Sequence, residues 1–141
     1  MTANVAARRL FIACGVWLVG LGMYFIFLRP PLLPEDPRFM GATLEQIRAS
    51  LPGLAGWLDL VFTVMGGFMA ASGVLTLALA MHLGRLRQRP ALVAMILAGA
   101  TSVGTMSAVN FVLHSDFRWL LLVPAVLWLM ALALMVRGIA R

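Results

Sequence analysis

Four stretches of this chain are so long and apolar that only one environment suits them. Leu10 to Leu28 and Ala91 to Leu113 contain no charged residue, Trp57 to Met81 contains only Asp59 near its start, and Phe117 to Val136 contains only Arg118 at its mouth. A helix rising about 1.5 Å per residue needs roughly 20 apolar residues to cross a hydrocarbon core of about 30 Å. Backbone N–H and C=O groups cannot stay unpaired in lipid, so each stretch must be helical, and four such helices make a bundle. The expected fold class is all-α: a polytopic membrane protein, one domain over 1–141, with spans near 10–28, 57–81, 91–113 and 117–136. The one long connection, 29–56, lies outside the bundle.

The charges are few and unevenly placed. Only 11% of residues are charged against 62% hydrophobic, where a soluble domain carries roughly 25% charge. All 11 basic residues are arginine, and with five acids they give a net charge of +6. In a soluble chain that excess would point to nucleic acid. Here the arginines flank apolar runs instead of forming a patch, so they read as topology signals and no nucleic acid is expected. Seven of them, Arg8, Arg9, Arg85, Arg87, Arg89, Arg137 and Arg141, fall on one side of the bundle. Arg29, Arg38, Arg48 and Arg118 fall on the other, together with every acid. The positive-inside rule then places both termini and the His82–Pro90 connection in the cytoplasm and the 29–56 loop in the periplasm. A lysine-free composition rich in Ala, Leu, Gly and Arg points to a GC-rich bacterial genome, hence to an inner membrane. Arg8 and Arg9 before an apolar run resemble a signal peptide, but the run is too long and exits as Phe27-Leu28-Arg29-Pro30-Pro31 without a cleavage site, so the helix is expected to be retained.

Two patterns inside the spans predict how the helices pack. From Asp59, helical spacing reaches Thr63, Gly66, Ala70, Gly73 and Leu77, a seam of small residues that lets a neighbouring backbone approach closely. Gly66, Ala70 and Gly73 are the expected helix-packing residues, and Asp59 at the head of the seam is expected to point inward. In the third span Gly99, Ser102, Met106, Ser107, Asn110 and His114 fall within about 140° at 100° per residue, whereas Thr101 and Thr105 point elsewhere. Asn110 is costly against lipid without a partner and should face the bundle interior. Pro124 removes one backbone bond from the fourth span and predicts a bend.

The long connection changes character. Arg29 to Gly41 holds four prolines and both signs of charge, which excludes a regular helix there. Thr43-Leu44-Glu45-Gln46 then matches a capping box, and Leu44, Ile47 and Leu51 recur on one face, predicting a short amphipathic helix on the rim that Pro52-Gly53 ends. Loops this long with structure of their own are often functional.

The scarce polar groups gather at that same end: Arg29, Asp59, Asn110, His114, Asp116 and Arg118 form the candidate binding cluster. Asp59 is its most informative member, because an acid inside a span demands a partner, for which Arg29 and His114 are available. The inventory excludes much chemistry. His82 and His114 lie at opposite ends, so one haem cannot take both. The single Cys14 excludes a CxxC redox centre. No HExxH or similar zinc set occurs, so no metal site is expected. Ser115, His114 and Asp116 are adjacent and point different ways, which defeats a triad. No cofactor is expected, and the partners expected are the lipid bilayer and either a second copy or another membrane protein.

Val61-Phe62-Thr63-Val64-Met65-Gly66-Gly67-Phe68, the Arg-rich turn ending Arg89-Pro90-Ala91, and the polar end of the third span at Asn110 resemble small uncharacterised four-span bacterial inner-membrane proteins of the DoxX-like kind. The resemblance covers about the last two-thirds of the chain and implies a four-helix layout without an active site to carry over. Two functions fit these residues. One is a non-catalytic accessory or interaction protein that binds a lipophilic molecule or partner at its periplasmic end. The other is an intramembrane enzyme or small transporter using Asp59, Asn110 and His114.

Overall fold

The structure, a computed structural model, describes residues 2–86 and 88–139, without the side chains of residues 2–4, 85 and 88. Arg87 and Arg141, two of the arginines that set the expected orientation, lie outside the described residues, as does the side chain of Arg85. The described chain is all-helical: α1 (Thr2–Phe27), α2 (Glu35–Met40), α3 (Leu44–Ser50), α4 (Leu54–His82), a single turn at Leu83–Arg85, α5 (Gln88–Gly99), a π-helical segment at Ala100–Gly104, α6 (Thr105–Val112) and α7 (Arg118–Ile139). Four units are long and apolar enough to cross a membrane: Val5–Phe27, Leu54–His82, Arg89–Val112 and Arg118–Ile139. The third of these runs through α5, the π segment and α6.

The spans pack in the order α4, α1, α7, third span, with α1 and α7 in the middle. The α1–α4 seam is a close approach of backbones. A Cβ added at Gly66 would sit 2.6 Å from the Gly22 carbonyl oxygen, one at Gly22 2.5 Å from the Ala70 nitrogen, and one at Gly73 2.7 Å from the Gly15 carbonyl oxygen. Only glycine permits this, and dispersion across the seam then replaces the hydrophobic drive that lipid withholds. Leu77 completes the seam by lying against Gly15.

The filled core lies toward the chain termini. Phe11, Cys14, Met95, Trp128 and Met135 are fully buried there, and the Phe11 and Trp128 rings meet edge to face at 5.3 Å. The Trp128 indole donates to the Met95 carbonyl at 2.9 Å and lies against Gly99, where a Cβ would overlap it. Helix α7 runs unbroken through Pro124. That proline is buried, and its carbonyl accepts from Cys14 Sγ at 3.5 Å; Ser107 Oγ donates to the neighbouring Leu121 carbonyl at 2.8 Å.

The 29–56 connection forms a cap on the opposite end of the bundle, the loop end. The expectation that its proline-rich half excludes a helix is corrected by α2. Pro37 falls in the first turn of α2, where a backbone N–H would have no partner anyway, and its fixed φ suits the helix. Gly41, at φ 67°, closes α2 in the left-handed region. The expected capping box of α3 is present: Gln46 N–H donates to Thr43 Oγ1 at 3.2 Å, and Thr43 N–H donates to Gln46 Oε1 at 2.8 Å. Of the α3 apolar stripe, Ile47 is buried whereas Leu44 and Leu51 are exposed.

Candidate functional site

Helix α4 and the third span stand at the two ends of the packing order and form no extensive interface with each other. Between them, at the loop end, lies a cavity of about 740 Å³. Leu18, Leu21, Tyr24 and Phe25 of α1 and Leu120 and Leu121 of α7 contribute to its lining, as do Phe62, Phe68 and Met69 on the α4 side and Met106 on the third span. Its polar lining comes from Ser72, Thr101, Ser102, Thr105, Asn110, Ser115 and the Tyr24 hydroxyl, and its single charged lining residue is Arg29. Lining residues such as Phe68 and Leu120 are themselves largely exposed, so the cavity opens sideways, toward the surroundings of the helices.

Arg29 is placed at the mouth by the abrupt end of α1. Its guanidinium carbon lies 3.5 Å from the centre of the Phe62 ring and 5.2 Å from that of Phe25, a cation–π clamp between α1 and α4. Nη1 donates to the Pro30 carbonyl at 2.8 Å, and Nη2 stands 3.9 Å from Asp36 Oδ2. Burial, with the side chain 9% exposed, lowers the Arg29 pKa, and the negative charges of the Asp36 and Glu35 carboxylates oppose that shift. An arginine so compensated stays a cation.

Three polar contacts pin the cap to the bundle. Besides Arg29–Asp36, Arg38 reaches Asp116 at 3.3 Å in an exposed pair, and Ser115 Oγ donates to Glu35 Oε1 at 2.9 Å. Glu35 is 4% exposed and Ser115 2%. The Ser115 hydroxyl also accepts from the Phe117 N–H at 3.2 Å, so it orders the turn into α7 while holding α2. Glu35 Oε2 is buried with no hydrogen-bond partner among the described residues. Glu35 is not among the expected site residues; proline-flanked and in a loop, it gives no sign in the sequence that it is buried.

The expected Asp59–Asn110–His114 site is not assembled. Asn110 lines the cavity, with Nδ2 donating to the Met106 carbonyl at 2.9 Å. Asp59 and His114 are exposed, and no hydrogen bond or ion pair joins either to the other or to Asn110 among the described residues. Helix register explains Asp59. Gly66 meets Gly22, and Asp59 is seven residues before Gly66, level with the seventh residue after Gly22. That residue is Arg29, past the end of α1 at Phe27. The seam therefore runs out of partner helix before it reaches Asp59, whose backbone carbonyl accepts from Thr63 Oγ1. Its expected partner Arg29 is taken by Asp36 and the aromatic rings.

His114 has a backbone role instead. It sits at φ 50°, the left-handed residue after α6, with His114 N–H donating to Phe111 O at 3.2 Å and Ser115 N–H to Asn110 O at 3.0 Å. Those two bonds make a Schellman motif, which ends the helix and satisfies its last carbonyls. Asp116 pairs with Arg38 on the exposed rim, and Arg118 opens α7, its N–H donating to the Ser115 carbonyl at 3.2 Å.

The polar stripe is split by the π segment. Gly99 and Ser107 face α7, through Trp128 and the Leu121 carbonyl, while Ser102, Met106 and Asn110 line the cavity. Thr101 and Thr105, expected to point elsewhere, line it as well. An angular reading at 100° per residue assumes an unbroken α-helix, and the wider turn at Ala100–Gly104 shifts the phase of α6 relative to α5.

Among the described residues, no group of three or more His, Cys, Asp or Glu side chains is placed to hold a metal ion. The chain matches no protein-family model, no curated protein and no solved structure.

Proposed function

We propose that this chain is a non-catalytic accessory protein of a bacterial inner membrane that holds a lipophilic molecule, or the lipophilic part of a partner, in the cavity between α4 and the third span. The observation that carries this reading is the cavity itself. It is a mainly apolar space of about 740 Å³ between two helices that do not pack together, in a chain whose α1–α4 pair closes as tightly as glycine allows. Pockets of this size and lining suit small apolar ligands with a few polar contacts, and a sideways opening between spans gives access from the hydrocarbon phase. The nearby charges support binding over chemistry, because Arg29 is already compensated and Asp59, Asn110 and His114 do not converge. In this reading the cap faces the periplasm, both termini face the cytoplasm, and the bundle works beside a second copy or another membrane protein.

The test is native mass spectrometry of the gently purified full chain. Wild type should retain a lipophilic adduct, and Met106→Trp, which fills the cavity from the third span, should lose it while the protein stays folded. Bare wild-type protein, or an adduct retained equally by the filled variant, would overturn the reading. Alkaline phosphatase and fluorescent-protein fusions at Asp36 and Gln88 read the orientation: phosphatase activity is expected at Asp36 and fluorescence at Gln88.

A further inference from the structure

The hydrogen-bond state of the cavity wall narrows the class of ligand, given the binding role proposed above. Every hydroxyl on the two facing walls gives its proton to its own helix. Ser72 Oγ donates to Phe68 O and Thr101 Oγ1 to Leu97 O, both at 2.8 Å; Ser102 Oγ donates to Ala98 O, and Thr105 Oγ1 to Ala100 O at 2.9 Å. Asn110 spends one N–H on Met106 O, keeping one N–H and its Oδ1. A hydroxyl that donates inward retains two lone pairs, so the wall presents mainly acceptors. The π segment matters here because it brings Thr101 and Thr105 onto the wall that carries Ser102 and Asn110.

The charge at the mouth points the same way. Arg29 is the one cation among the lining residues, but one of its N–H groups goes to Pro30 O, Asp36 Oδ2 stands 3.9 Å away and offsets its charge, and Phe62 covers a face. Glu35 adds a second nearby acid. An anionic head would meet two carboxylates for one arginine, and a head with acceptors only would find the second Asn110 N–H and the Tyr24 hydroxyl as donors against four acceptor hydroxyls on the facing walls.

We infer that the cavity takes a lipid whose head is an uncharged hydrogen-bond donor, a long-chain alcohol, with its hydroxyl on the Thr101–Thr105–Asn110 wall and its chain between α4 and the third span. Dispersion along the chain supplies most of the binding, and the hydroxyl fixes depth and selectivity.

The experiment compares three probes that share one chain: oleyl alcohol, oleyl methyl ether and oleate. Each competes for tritiated oleyl alcohol bound to the full chain in phosphatidylcholine nanodiscs, after correction for uptake by protein-free discs. One added hydrogen bond predicts that the alcohol competes about fivefold better than the ether, with oleate the weakest. Asn110→Leu and Thr105→Val should each narrow the alcohol–ether gap without abolishing ether binding. Equal competition by alcohol and ether, or stronger competition by oleate, would overturn the donor-head assignment while leaving a lipophile site in place. Failure of the tritiated alcohol to bind above protein-free discs would overturn this inference; if wild type also lacks the adduct in native mass spectrometry, the binding role falls with it.

Discussion

Ser115 and Glu35 are eighty residues apart in the chain and share a hydrogen bond of 2.9 Å that both bury almost completely. It ties α2 to the turn before α7 and holds the cap over the loop end. Ser115→Ala leaves Glu35 Oε1 without its hydroxyl partner and removes the acceptor for Phe117 N–H. Stability should fall by about 1–3 kcal/mol, the cost of stranding buried polar groups. Thermal unfolding in detergent measures this, and amide exchange should quicken across 35–50. The double variant Ser115→Ala with Glu35→Leu should recover part of the loss, because replacing both partners removes the stranded group.

The glycines divide into two kinds, and the division is a sharp test of the α1–α4 seam. At Gly66 a Cβ would press on the Gly22 carbonyl and the Ile26 and Phe25 side chains, whereas at Gly67 it would meet nothing within 4 Å. Gly66→Ala should cost about 1–3 kcal/mol by overpacking against a backbone that cannot yield. Gly67→Ala should be neutral or slightly stabilising, since alanine is the better helix former. Equal effects in thermal unfolding would contradict the seam.

At His114 a substitution should improve the protein. Its left-handed conformation ends α6 and costs a non-glycine residue of order 1 kcal/mol. His114→Gly should therefore raise stability by up to about 1 kcal/mol and leave lipophile retention unchanged. A loss of retention in that variant would restore His114 to the binding site.

Much of this fold is legible in the sequence, and the parts that are not have identifiable causes. The spans follow from length and hydropathy, the α3 capping box from four residues, and the small-residue seam from its spacing. Register across elements is where the sequence falls short. Asp59 shares the seam's spacing but outruns its partner helix, which only the pairing of Gly66 with Gly22 reveals. Thr101 and Thr105 fall on the far face of a 100° wheel, because such a wheel has no place for a π turn. The burial of Glu35 depends on where a proline-rich loop lands, and local sequence does not encode that.

Cys14 lies wholly inside the α1–α7 contact, with Sγ directed at the Pro124 carbonyl. A thiol reagent small enough to enter the membrane, such as N-ethylmaleimide, should leave it unmodified in the folded protein and label it fully after denaturation in SDS. Rapid labelling of the folded chain would show that α1 and α7 do not pack as described.

The most direct measurement of the proposed binding role is the site of photo-cross-linking by a diazirine-bearing fatty alcohol added to the full chain in nanodiscs. Peptide mapping should place the label on the cavity walls, in residues 62–72 of α4 and 101–110 of the third span. Excess oleyl alcohol should compete it away. Label spread evenly over outward apolar residues such as Leu75, Leu97 and Leu129, and insensitive to the competitor, would contradict a lipophile site between α4 and the third span.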